Sequence, residues 1–169
     1  FVLGVVGTIT SLIYGAGSLV AGPLSDRTNE VKIISLALVL AGASTLLLLL
    51  ARDMIVYSIA LFLMAAWASL YHPTANSLIS KEFHGQMGEA MGIHGLVASF
   101  GGMLTPIVAF AIGLAVDWRA SFIFFGVMSI IVGLVISRNH IQTPKEKPTV
   151  RMLDVLRTRG LLIILVFNV

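Results

Sequence analysis

The sequence is poor in charged residues and has no cysteine. Of its 169 residues only 11% are Asp, Glu, Lys or Arg, where soluble globular chains have about 25%. The absence of cysteine excludes a disulfide, a thiolate metal site and a cysteine nucleophile. The shortage of charge largely rules out a disordered tail, a nucleic-acid-binding domain and a water-soluble enzyme.

Apolar residues make up 57% of the chain, and the mean hydropathy is +0.98. A helix needs about 20 mostly apolar residues to cross a hydrocarbon core of about 30 Å. Because lipid cannot satisfy backbone amides, such segments are predicted to be helices. We therefore expect an all-α membrane protein with five complete transmembrane helices and the start of a sixth near Gly160, in a sequence that is part of something longer. The five complete spans are 1–24, 33–51, 54–80, 89–116 and 118–137.

The basic residues are distributed unevenly between the two sides of these spans. Nine of the eleven fall on one side, and only Arg52 and Arg119 fall on the other. We expect a multi-pass protein of the plasma (inner) membrane, whose orientation follows from the positive-inside rule. The loops predicted to be cytoplasmic are 25–32, 81–88 and 138–159. The chain then divides into a helical unit (1–137), a basic linker (138–159) and the start of a second unit (160–169).

Two spans carry small residues along one helical face. Such faces let helix backbones approach closely in lipid. They indicate either tight packing within one bundle or surfaces that slide against a partner unit. In the first span the face is Gly4, Gly7, Ser11, Gly15, Ser18 and Gly22; in the fourth it is Gly88, Gly92, Gly95, Ser99, Gly102 and Pro106.

The segment from Gly22 to Lys32 places an acid and a base at the end of the first span. Gly22, Leu24, Asp26 and Arg27 resemble the signature loop between helices two and three of the major facilitator superfamily. Asn29, Glu30 and Val31 depart from that pattern, and Lys32 is what remains of its basic tail. The resemblance implies a cytoplasmic latch formed by Gly22, Asp26, Arg27 and Lys32.

The remaining spans resemble the later helices of the same family in their order along the chain. The stretch from Gly95 to Pro106 resembles the helix-five segment associated with exporters, with Thr105 in place of the usual glycine. From the two small-residue faces, we expect a role in helix packing or gating for Gly15, Gly95, Ser99, Gly102 and Pro106. Two short matches resemble the fosmidomycin-resistance branch of drug exporters; they are Tyr71-His72-Pro73 and Ser99-Phe100-Gly101.

The resemblance implies helices two to six, and the start of helix seven, of a two-half helical bundle. Such a protein moves a small organic solute by alternating access. Drug or organic-anion export and coupling to protons are the expectations for this chain. Its implied partners are the solute, protons, the lipid bilayer and the missing C-terminal half, with no nucleic acid, cofactor, metal site or catalytic residue. Many proton-coupled members have a buried arginine in helix four, but 54–80 contains no charged residue.

Polar residues inside the third and fourth spans are candidates for the solute path. Ser69, His72 and Asn76 are spaced for one helical face, Tyr71 lies beside it, and Pro73 predicts a kink. His94 lies in the antiparallel neighbouring span at a similar depth. The two histidines either satisfy carbonyl groups and pack, or they bind an anionic solute and exchange protons.

Two other classes of protein compete with the transporter interpretation. A channel or receptor-like membrane protein would share the composition, and ionic current rather than exchange would distinguish a channel. An intramembrane enzyme is much less consistent with the sequence, because no GxSxG or HxxxH pattern occurs in it.

Overall fold

The computed structural model describes residues 1–138. These residues form five helical spans long and apolar enough to cross a membrane, which confirms the predicted all-α architecture. The predicted linker beyond residue 138 and the sixth span at Gly160 lie outside the described residues. The helices are α1 (Val2–Arg27), α2 (Glu30–Leu46), α3 (Met54–Ala68), α4 (Tyr71–Glu82), α5 (Met87–Ala115) and α6 (Trp118–Ser137), and a short 3-10 turn (Leu47–Leu50) extends α2.

Short polar side chains begin three of these helices. Asp53 Oδ1 accepts from the backbone N–H groups of Ile55 and Val56, both at 2.9 Å. Asp117 Oδ1 accepts from the N–H of Arg119 at 2.8 Å, and Asn29 caps α2 in the same way. Such caps satisfy amides that would otherwise lack a partner at a helix start. Each of these caps is the last residue of a turn of two or three residues that follows the preceding helix.

The third span is interrupted just before Pro73, at the level where the proline predicted a kink. Helix α3 ends at Ala68 and α4 begins at Tyr71, so the interruption precedes Pro73 by three to four residues. Proline has no N–H, and the carbonyl group that loses its donor is that of the residue four positions earlier, Ser69. The proline therefore acts one turn upstream of its own position.

Helix α2 lies at the centre of the described bundle and packs most extensively on α6. Glycines make this contact close. A Cβ at Gly42 would lie 2.5 Å from the carbonyl oxygen of Gly126, and one at Gly133 would lie 2.9 Å from that of Ser35. The Ser35 hydroxyl donates to the Gly133 carbonyl at 2.8 Å, and the Ser129 hydroxyl donates to Leu38 at the same distance. Small residues and hydroxyl groups thus join α2 to α6, as expected in lipid.

We expect Gly42→Ala to destabilise the protein by about 1–3 kcal/mol, the usual range for overpacking. The added methyl group would meet the backbone of α6, which cannot rotate away as a side chain would. Gly113→Ala is the matched control, because its Cβ would meet Ser121 and Trp118 only at 3.8 and 3.9 Å. Thermal unfolding of the detergent-purified protein measures the difference, and equal midpoints for the two variants would contradict this packing.

Candidate functional site

Two imidazole rings meet where α4 faces α5. The ring centroids of His72 and His94 are 6.3 Å apart, with the rings nearly perpendicular. The ring of Tyr71 lies 5.1 Å from that of His72. His72 is the second residue of α4, directly after the interruption of the third span. The structure therefore brings together the two histidines that helix spacing placed at one depth.

His72 also lines a cavity of about 360 Å³ between α1, α2, α3, α4 and α6. Most of its wall is apolar, and hydroxyl groups supply the polar part. The residues with these hydroxyl groups are Tyr14, Thr45, Tyr71 and Ser129. A largely apolar cavity with a few polar groups is the usual form of a small-molecule site. His72 thus lies between the ring of His94 and a solute-sized space.

The structure separates Ser69 from the other polar residues of the third span. Ser69 is fully buried, and its hydroxyl donates to the Ala66 carbonyl at 2.7 Å. His72 and Asn76 are exposed within the described residues. The helix is interrupted at Ser69 and Leu70, so residues three apart across the interruption need not share a face. Ser69 is a packing residue in this arrangement, whereas Asn76 lies one turn from His72 on the exposed side of α4.

At the predicted cytoplasmic end of the bundle, a buried ion pair joins α2 to α4. The sequence analysis did not predict this pair. Lys81 Nζ, near the end of α4, lies 2.5 Å from Glu30 Oε1, at the start of α2. The Glu30 side chain is 2% exposed and that of Lys81 is 15% exposed. In the sequence, Glu30 appeared only as a departure from the basic tail of the loop. Its place directly after the helix cap Asn29 was the signal that could have identified it as a helical residue.

The predicted latch residues lie at the same end, on the surface. Gly22, Asp26, Arg27 and Lys32 are all exposed, and no ion pair within residues 1–138 involves Asp26, Arg27 or Lys32. The charges available for a latch therefore point away from the described bundle.

The two small-residue faces also remain uncovered. A Cβ at Gly15, Gly22, Gly95 or Gly102 would meet nothing within 4 Å in the described part of the chain. Helix α5, which also carries Ser99 and Pro106, has no buried residue there. Close glycine packing occurs instead between α2 and α6, where the sequence pattern did not indicate it.

The described residues offer few groups for a metal ion. No cluster of three or more His, Asp or Glu side chains within residues 1–138 has the geometry to hold one. A pair of imidazoles with neighbouring hydroxyl groups is better suited to hydrogen bonding an anion.

The sequence pattern of the Major Facilitator Superfamily matches residues 1–169. The chain belongs to this superfamily. Together with the five apolar helices, this makes it part of an integral multi-pass membrane protein. No solved structure matches the chain.

Several curated relatives are similar to it. The chain is 26% identical over 133 residues to the membrane sensor protein UhpC of Escherichia coli (strain K12), which covers 78% of the chain and 30% of that protein. It is 26% identical over 129 residues to the probable sulfoacetate transporter SauU of Cupriavidus necator, covering 76% and 30%. It is 24% identical over 140 residues to the glycerol-3-phosphate transporter of Bacillus subtilis (strain 168), covering 79% and 32%. The chain thus spans about a third of the length of these relatives.

Proposed function

We propose that the protein containing this chain is a secondary transporter of a small organic anion. The observation that carries the proposal is the pair of His72 and His94, whose ring centroids are 6.3 Å apart and of which His72 lines a solute-sized cavity. Imidazolium N–H groups form charge-assisted hydrogen bonds with phosphate, sulfonate or carboxylate oxygens. Polar groups without hydrogen-bond partners are costly in lipid, and a bound anion would supply a partner for both rings.

The relatives support a phosphate or sulfonate group as the recognised part of the solute. Two of them are named for sulfoacetate and glycerol-3-phosphate, which share a tetrahedral oxyanion on a short carbon chain. The same group fits a pair of hydrogen-bond donors on neighbouring helices. The names of these relatives therefore favour an organic anion, rather than a drug, as the solute.

Transport would proceed by alternating access between this half and a second half of the protein. The uncovered glycine faces of α1 and α5, and the outward-facing charges Asp26 and Arg27, are the surfaces available for that second half. We propose the histidine pair as the candidate for proton coupling, because 54–80 has no charged residue that could take this role. Export is the direction that the helix-five resemblance favours, and the fosmidomycin-resistance branch stays a prediction.

Solute flux in proteoliposomes containing the full-length protein tests the proposal. We expect counterflow of labelled glycerol-3-phosphate or sulfoacetate that unlabelled anion stimulates, and no counterflow of glycerol. Steady ionic current without exchange would favour a channel and contradict the proposal. Absence of flux for every phosphate and sulfonate tested, in protein that is folded by gel filtration, would also contradict it.

A second candidate is a receptor that binds an anion without moving it. The similarity to a membrane sensor protein favours this alternative specifically. Saturable binding of an organic phosphate to the purified protein, with no counterflow under the same conditions, would identify a receptor. Binding accompanied by counterflow would identify a transporter.

A further inference from the structure

Helix α1 meets the interruption of the third span at Gly17. A Cβ at this position would overlap the Oγ of Ser69 and lie 2.9 Å from its Cβ. Two carbons at that separation repel, so the helices approach this closely only because residue 17 is glycine. A Cβ on the other glycines of α1 would meet nothing within 4 Å in residues 1–138. The contact at Gly17 is therefore a local feature of the interruption.

The neighbouring residue on α1 reaches the backbone group that the proline leaves without a donor. Pro73 has no N–H to donate to the carbonyl oxygen of Ser69. The hydroxyl of Ser18 lies 3.4 Å from that oxygen and donates more closely, at 2.9 Å, to the Tyr14 carbonyl. The hydroxyl has a single proton, so it reaches the Ser69 carbonyl only as the longer and weaker branch of a bifurcated hydrogen bond.

The contacts of Gly17 and Ser18 with Ser69 lie directly before the helix that carries His72. His72 follows Ser69 by three residues and stands on the first turn of α4. Few contacts join α4 to α5, which carries His94, and α4 packs more extensively on α1 and α2. The position of His72 relative to His94 is therefore governed by how α1 and α2 hold the first part of α4.

We propose that Gly17 and Ser18 are positioning residues for the histidine pair. By fitting against Ser69 they fix the interruption of the third span, and with it the separation of the two imidazole rings. That the pair binds an anion rests on the proposed function, whereas the positioning of one ring by α1 does not.

The test compares ring-pair geometry with transport in the full-length protein. His72→Cys and His94→Cys are introduced together, with any cysteine outside this sequence replaced, since the sequence itself has none. The rate of cross-linking by a short bifunctional thiol reagent then reports their separation without depending on transport. In the histidine-containing protein, counterflow of glycerol-3-phosphate reports the function.

We expect Gly17→Ala to slow both cross-linking and counterflow by about 10-fold, because a displacement of about 1 Å can cost up to about 100-fold in rate. Ser69→Gly removes both clashing atoms and leaves the Ala66 oxygen at 3.7 Å, an ordinary contact. Gly17→Ala combined with Ser69→Gly should therefore recover most of both rates. Gly113→Ala, whose Cβ meets nothing closer than 3.8 Å, should change neither.

The other possible outcomes also distinguish the positioning role from the proposed function. Unchanged cross-linking in folded Gly17→Ala protein would overturn the positioning role, whatever transport does. Slowed and rescued cross-linking in a protein that transports no anion would uphold the positioning and reject the proposed function.

If Gly17→Ala does not fold, Ser18→Ala replaces it. It should slow cross-linking about twofold to threefold, near the low end of the effect of one neutral hydrogen bond, with recovery in Ser18→Thr. No difference between those two variants would overturn the proposal.

Discussion

Replacing His72 or His94 with Gln is expected to lower anion transport by about 10- to 100-fold, with little change in the amount of folded protein. Gln keeps a hydrogen-bonding side chain but loses the positive charge that imidazole can carry. A hydrogen bond to a charged group contributes about 1.5–3 kcal/mol, which corresponds to that range of rates. Counterflow of glycerol-3-phosphate, divided by the quantity of monodisperse protein, measures the effect.

His84 provides the control for this comparison. It lies exposed between α4 and α5, ten residues from His94 in sequence and on the surface of the described bundle. His84→Gln should leave counterflow unchanged. If His72→Gln and His94→Gln reduce folded protein and transport in equal proportion, the rings serve packing rather than solute binding.

The second large effect is expected at the buried ion pair of Glu30 and Lys81. Lys81→Met leaves the Glu30 carboxylate buried without the Lys81 ammonium, and breaking a buried pair from one side costs about 3–5 kcal/mol. We therefore expect a clear fall in the midpoint of thermal unfolding. Replacing both residues with Met should recover more than half of the loss, because the Glu30 carboxylate is then no longer buried without the Lys81 ammonium.

The matched control is Glu82→Gln, at the exposed residue next to Lys81. Exposed charges contribute about 0–1 kcal/mol, so this variant should unfold close to the wild type. If Lys81→Met unfolds at the same temperature as Glu82→Gln, the pair does not hold α2 and α4 together.

The helical architecture could be predicted because its cause is local. Each span is an apolar stretch long enough to cross lipid, and three of the short turns end with an Asp or Asn that caps the next helix. The proximity of His72 and His94 also followed from counting residues along two antiparallel helices. These features depend on sequence distance and on the fixed rise of a helix.

The features that were missed depend on contacts between distant segments. Gly42 and Gly126 form no conspicuous stripe, yet their backbones meet closely, while the glycine stripe of α5 faces no described residue. Lys81 is 51 residues away from Glu30, so nothing near Glu30 in the sequence indicates this contact. The interruption before Pro73 reflects both the lost N–H and the approach of α1 at Gly17.

The most direct test of the histidine-pair site is chemical modification of histidine in the presence of a solute. The full-length protein is treated with diethyl pyrocarbonate, and the modification of each histidine is followed by mass spectrometry. We expect glycerol-3-phosphate to protect His72 and His94, glycerol to protect neither, and the exposed His84 to react equally in all samples. Equal modification of His72 and His94 with and without phosphate and sulfonate anions, at concentrations that saturate binding or transport, would contradict the assignment of the anion site to this pair.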